Sequence, residues 1–270
     1  MVRVKNFVFI SFLCFSLSVA GWLYAQTPLE IIAKSKQVTA QLRSVKTKGK
    51  IITGSIDITY NESVVDYERK KFFAAEKKDQ EILRSVYISD GVTYMYNGML
   101  EGWFKFSQDI SPVGDVFDKE KLLAQFPDNF EEAGFSLKFL AEEMVADEVC
   151  YLIESKVIDA KKAAEFAFKF LDKFVSSQIA VLLKENEALL EDYLEIYMSN
   201  SESRLWIAKD SFFIIKVLNE HDQITGPDES VSIRAETTYY DFNKPVKIDI
   251  PESAFSAPMV SAEDLGFSIK

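Results

Sequence analysis

The chain has 270 residues, with 42 acidic against 31 basic side chains, a formal charge of −11 and a single histidine. So acidic a protein is repelled by nucleic-acid phosphates and by anionic membrane surfaces, which excludes nucleic acid as a partner and electrostatic docking on such membranes. Its length suffices for one large domain with its own core.

Arg3 and Lys5 precede a run from Asn6 to Tyr24 without a charged residue, rich in Phe, Val, Leu and Ser. A charged start followed by an apolar run is the pattern of a secretory signal. Two exits fit, after Ala20 and after Ala25. Ala25 is favoured because the polar sequence Gln26-Thr27-Pro28 starts there, although Leu23 suits the upstream cleavage pocket poorly. As an uncleaved anchor, the same run is about long enough to cross a bilayer. Cys14 invites acylation, but Leu13 stands where a lipoprotein signal needs a small residue. The expectation is a signal peptide over residues 1–25, a periplasmic or secreted location, and one domain over residues 26–270. Cys150 is the only cysteine of that domain, so its stability must come from a core and not from a disulfide.

Thr27 to Val45 reads as a helix, with Pro28 at its first position and Leu29, Ile32, Ala33, Val38 and Leu42 along one stripe. From Lys46 to Phe106 the period changes to two. Ile52, Gly54, Ile56, Ile58 and Tyr60 share one face, and Val64–Ala75 and Ile82–Ile88 alternate likewise. Ser89-Asp90-Gly91 and Asn97-Gly98 punctuate hairpins, so this region is an antiparallel meander with one dry face. A short helix follows at Asp118–Phe126, then strand-like sequence from Phe135 to Val157. Asp159–Asp192 lacks Gly and Pro and reads as one long helix or two abutting ones. Strands return at Leu205–Leu218 and Ser230–Phe242, separated by Thr225-Gly226-Pro227-Asp228, and Pro251–Lys270 is a polar tail with little periodicity. The fold class expected is α+β: a single curved antiparallel sheet, an incomplete β-barrel, with helices covering its concave face.

Several local sequences carry a family likeness. Leu42 to Gly49 closes the first helix and opens the sheet. Val86 to Tyr96, followed by Gly102-Trp103-Phe104-Lys105, forms a hairpin ending in tryptophan. Glu148-Val149-Cys150-Tyr151-Leu152-Ile153 is a strand with a Cys-Tyr pair. Leu205 to Lys216, a late hairpin, and Tyr240 to Pro251 complete the series, the last being the best match. In this order the chain resembles the outer-membrane lipoprotein carrier (LolA-like) superfamily, which includes LppX/LprG-type lipid-binding proteins and the sensor domain of RseB-type regulators. The segment Asp159–Asp192 is longer and more helical than the likeness predicts.

The resemblance implies an exported carrier that binds lipid or lipoprotein acyl chains in an apolar half-barrel, without a cofactor. A lipoprotein or membrane protein would deliver or accept the cargo. The alternative is an envelope sensor that binds a protein partner on the same sheet. Each buried methylene contributes about 0.8 kcal/mol, so a long chain binds without a polar anchor. Ile52, Ile56, Ile58, Phe73, Val86, Ile88, Tyr94, Tyr96, Phe104 and Phe106 are the candidate lining on strands. Phe166, Phe170 and Phe174, spaced by four, form a stripe that ordinarily packs a core; its functional reading is a lid over the cavity mouth. An enzyme is not expected. His221 has no second histidine for a metal or a base to use, Cys150 lies within a strand, and neither a G-x-S-x-G nor a phosphate-binding loop occurs. Acidic pairs such as Glu131-Glu132 and Glu142-Glu143 read as a solvated face.

Overall fold

A computed structural model describes residues 26–54, 57–107, 116–174, 187–226 and 229–260. The signal segment of residues 1–25, with Cys14 and both cleavage positions, lies outside them, as do Ile56, residues 175–186 of the long helical segment, Pro227-Asp228 and residues 261–270.

Helix α1 (Pro28–Ala40) starts with a reciprocal cap. The Glu30 amide donates to Thr27 Oγ1 at 3.2 Å and the Thr27 amide donates to Glu30 Oε2 at 2.7 Å. Two of the amides that a helix start leaves without partners are thereby satisfied, and the Glu30 carboxyl is held below its ordinary range by the same bonds. The helix ends before the Val45 expected from its periodicity. Ser44 and Val45 already pair with Asp66 and Val65 as the start of β1 (Ser44–Thr53), where a β-branched residue fits better than in a helix.

Strands β1, β2 (Asp57–Asp66), β3 (Lys71–Lys78), β4 (Glu81–Ser89), β5 (Val92–Asn97) and β6 (Gly102–Ser107) form the expected meander. After α2 (Lys119–Leu123) come β7 (Phe135–Val145) and β8 (Glu148–Val157), then helices α3 (Ala160–Phe174) and α4 (Glu187–Met198). Next are β9 (Glu202–Ala208), β10 (Ile214–Gly226) and β11 (Glu229–Tyr240), and finally α5 (Glu252–Phe255). All eleven strands belong to one open antiparallel sheet in the order β6-β5-β4-β3-β2-β1-β11-β10-β9-β8-β7. Two runs read without a break are hairpins. Val64–Ala75 is divided by a turn at Tyr67–Lys70 and Phe135–Val157 at Ala146-Asp147, while the hairpin expected at Leu205–Lys216 is present and turns at Lys209–Phe213. In these turns Lys70, Ala146, Asp147 and Phe212 take positive φ without a glycine to mark the place.

The strand order decides how the sheet is covered. β6 and β7 are its two edges, yet they follow one another in the chain, so the connection must cross the full width, on the order of 48 Å for a flat sheet of this many strands. Its described end, residues 116–134, lies across one face. There Ile31 and Ile32 of α1 pack with Phe130 from the crossing and with Ile153, Leu205 and Ile207 from β8 and β9. Helices α3 and α4 pack on each other, and α4 reaches β10 through Tyr197, whose ring lies tilted against that of His221 with centroids 4.3 Å apart. Both covers therefore occupy the same face.

The two edges differ. Beside β6, the Lys105 amide donates to the Pro258 carbonyl at 2.9 Å and the Val260 amide donates to the Lys105 carbonyl at 2.8 Å, a short parallel strap. Just before it, Phe255 of α5 packs edge-on against Tyr94 on the outer face, and just after it Val260 packs with Met95, Phe104 and Phe106 on the covered face. Along β7 the register with β8 shifts between Phe139 and Ala141, leaving Leu140 in a bulge.

Candidate functional site

Between the sheet and its cover lies a cavity of about 570 Å³. Val45, Val65 and Phe72 line it from one half of the sheet, Leu205, Val217 and Phe213 from the other, and Leu122, Leu123, Phe126 and Phe130 from the crossing segment. Its shape follows from register: Val45 pairs with Val65 and Val65 with Phe72, so three neighbouring strands present apolar side chains side by side. Toward the sheet centre the lining turns to hydroxyls and amides, with Thr47, Ser63, Thr237, Ser203 and Asn219. Ser203 Oγ donates to Asn219 Oδ1 at 2.7 Å, so this pair is satisfied locally.

Two phenols border the apolar part. Burial pushes the Tyr67 hydroxyl up to about 12, with Tyr239 nearby adding to the shift, and burial also raises Tyr239. Lys119 lies 5.4 Å over the Tyr67 ring while its ammonium donates to the Leu42 carbonyl at 3.0 Å, tying the crossing segment to the end of α1. The unfolded phenol ionises near 10 and the folded one near 12, so this stability is intact below pH 10 and is lost as pH rises through that window. Tyr67→Phe should therefore flatten the loss of denaturant stability between pH 9.5 and 11.5 by about 1–2 kcal/mol. An unchanged slope would place the titrating group elsewhere.

None of the described residues among the candidate lining read from the sequence lines this cavity. Val86, Ile88, Phe104 and Phe106 do face the same side of the sheet, through the register Phe72–Ile88–Thr93–Phe106 and Ala74–Val86–Met95–Phe104. Phe73, Tyr94 and Tyr96 face the other side, where Phe73, Tyr87, Trp103 and Tyr96 form a chain of rings with centroids 4.8 to 5.9 Å apart. Ile52 and Ile58 pair with each other on that outer face, and Ile58 is exposed. Phe166 meets Phe135 edge-on at 6.1 Å, and Phe135 lines the cavity, so α3 touches its wall. Phe170 is half-buried on the same helix, while Phe174 ends it with a side chain outside the described residues, and Ile56 is not described.

The chemistry-bearing residues sit apart from the cavity. Cys150 is fully buried in an outer-face cluster with Leu152, Trp206 and Leu218, and burial, helped by Glu148, pushes its thiol up to about 11, away from thiolate reactivity. Trp206 Nε1 donates to Glu143 Oε2 at 2.8 Å, which gives one of the paired acids a structural partner. His221 is half-buried beneath Tyr197, and burial lowers its pKa against the opposing effect of Asp222. Among the described residues no group of three or more His, Cys, Asp or Glu could hold a metal ion.

No protein-family model matches the chain, and no curated protein matches it as a relative. Several solved structures are similar to it. One is the lipoprotein LppX of Mycobacterium tuberculosis, at 15% identity over 82% of this chain and 97% of that one, with a TM-score of 0.47. A LolA-superfamily protein of Nitrosomonas europaea matches at 14% identity over 86% and 98%, with a TM-score of 0.27. The MucA/MucB complex of Pseudomonas aeruginosa matches at 10% identity over 81% of this chain and 58% of that one, with a TM-score of 0.39.

Proposed function

We propose that this protein is an exported carrier that shields the acyl chain of a lipid or lipoprotein from water in the cavity between its sheet and its cover, without catalysis. The observation that carries this reading is the cavity itself. About 570 Å³ lies within the roughly 300–1,000 Å³ in which proteins enclose a small molecule, and most of its wall is aliphatic and aromatic. An acyl chain entering it gains about 0.8 kcal/mol for each methylene removed from water, so eight methylenes supply roughly 6 kcal/mol before the costs of immobilisation. The charged start and apolar run of residues 1–25 support an extracytoplasmic place of work.

The test is native mass spectrometry with lipid extraction on the chain expressed with its own leader into a bacterial periplasm. Adducts in the mass range of acyl lipids, lost on delipidation and regained on adding lipid, are expected. A bare polypeptide mass, with an apolar fluorescent probe that neither binds nor is displaced, would overturn the carrier and turn attention to the sensor reading.

A further inference from the structure

Three tiers of side chains cross the covered face of β1 to β4, each about 7 Å from the next along the strands. The first, Val45, Val65, Phe72 and Ile88, is hydrocarbon. In the second, Thr47 Oγ1 and Ser63 Oγ share a hydrogen bond at 2.7 Å beside Ala74 and Val86. In the third, Asn61, Glu76 and Arg84 stand opposite one another in register. Polarity thus rises in one direction, from hydrocarbon through hydroxyl to amide and charge.

The third tier floors a second hollow of about 430 Å³, and Thr47, Ser63 and Thr237 line both this hollow and the apolar cavity, so the two adjoin. Gly49 follows Thr47 on this face of β1. It pairs with Asn61 on one side and Thr237 on the other, and a Cβ there would strike Asn61 Oδ1 and the Glu236 carbonyl. Without a side chain at this position the Asn61 carboxamide lies close over the strand.

Three charged side chains line the hollow, Glu62, Glu76 and Arg84, and Glu62 is already paired with Lys77. Arg84 Nε and Glu76 Oε2 are 3.1 Å apart, with 66% and 28% of their side chains exposed, so both keep bonding capacity toward the hollow. A lone anion placed there meets Glu76 in a chain of charge −11, and a lone cation meets Arg84; a group carrying one of each meets its complement twice. We infer that the cargo is a zwitterionic amphiphile, its acyl chain in the apolar cavity and its head group on the Asn61–Glu76–Arg84 shelf, ammonium toward Glu76 and anion toward Arg84. The inference rests on the carrier reading.

The experiment is displacement of a bound acyl fluorophore, below micellar concentrations, by four probes of equal chain length: lysophosphatidylethanolamine, lysophosphatidylglycerol, a monoacylglycerol and the free fatty acid. Lysophosphatidylethanolamine should bind at least tenfold more tightly than the other three. Glu76→Gln, on a partly exposed side chain, should weaken it about tenfold and bring the anionic lysolipid level with it or ahead. The double variant Glu76→Arg/Arg84→Glu, which keeps one charge of each sign, should retain the zwitterion preference. Equal displacement by all four probes, or a preference that Glu76→Gln leaves unmoved, overturns the head-group inference and leaves the carrier standing. Displacement by none overturns both.

Discussion

Placing tryptophan at both Val65 and Val217 should weaken binding of an acyl probe by at least tenfold while the protein stays folded. The two positions face the cavity from opposite halves of the sheet, one beside Phe72 and the other between Leu205 and Thr237. Two indoles directed into that space occupy the volume that the chain would fill, and tenfold corresponds to about 1.4 kcal/mol, less than two methylenes. Enlarging a residue in a packed core costs about 1–3 kcal/mol through strain, but here the added rings enter empty volume and gain dispersion contacts. Thermal stability is therefore expected to hold or rise. Measured together, affinity and melting temperature separate the cases: lost binding with intact stability supports the site, and unchanged binding would show that the acyl chain lies elsewhere. The single variants, each expected to have a smaller effect, show whether a fall in stability comes from one misfitting ring.

The largest loss of stability should come from Gly134→Ala. Gly134 has φ +85°, and a Cβ there would meet the carbonyl of Asp159 and, at 2.8 Å, the amide nitrogen of Ala163, backbone atoms that cannot turn aside. The same residue accepts from the amides of Ile158 and Asp159 at 2.8 and 3.2 Å, and the next residue, Phe135, donates to the Phe130 carbonyl at 2.7 Å. One position thus joins the end of the crossing segment, the start of β7 and the first turn of α3. The expected cost is about 2–4 kcal/mol, the sum of a disfavoured φ and forced displacement of packed backbone. In a chain of this size that is a fall in melting temperature of roughly 5–15 °C. Gly54→Ala is the control: φ there is +62°, but the nearest atom, Val231 Cγ1, is an ordinary 3.7 Å away, so only the φ penalty of about 1 kcal/mol applies. Similar losses from both would mean that the clash at Gly134 is relieved by movement.

The sheet was legible because alternation and glycine-marked turns both report on it. Asp90-Gly91 takes positive φ at the tip of β4 and β5, and Asn97 caps its turn by accepting from the amides of Met99 and Leu100. Turns built on Lys70 or on Ala146-Asp147 carry no such mark, and strands on either side of them read as one. The cavity lining was less accessible for a different reason. Ile51-Ile52 and Phe72-Phe73 are apolar doublets, so alternation holds for either face and cannot say which one is covered; the choice is made by the crossing segment, whose path depends on β6 and β7 being opposite edges. Phe72 faces in and Phe73 faces out. The helical stripe gave a partial answer, since Phe166 reaches the cavity wall through Phe135 and not the cavity itself.

An open sheet invites addition of a further strand at each rim, and a protein that also holds apolar space within reach of solvent runs that risk twice over. The two rims meet it by different means. At β6 the chain's own Pro258–Val260 takes up bonds that a second molecule would otherwise use, and does so in parallel, so an antiparallel newcomer finds the register already spoiled. At β7 the bulge at Leu140 bends the rim away from a straight template. Polymerisation is thus opposed at both rims without the sheet closing into a barrel.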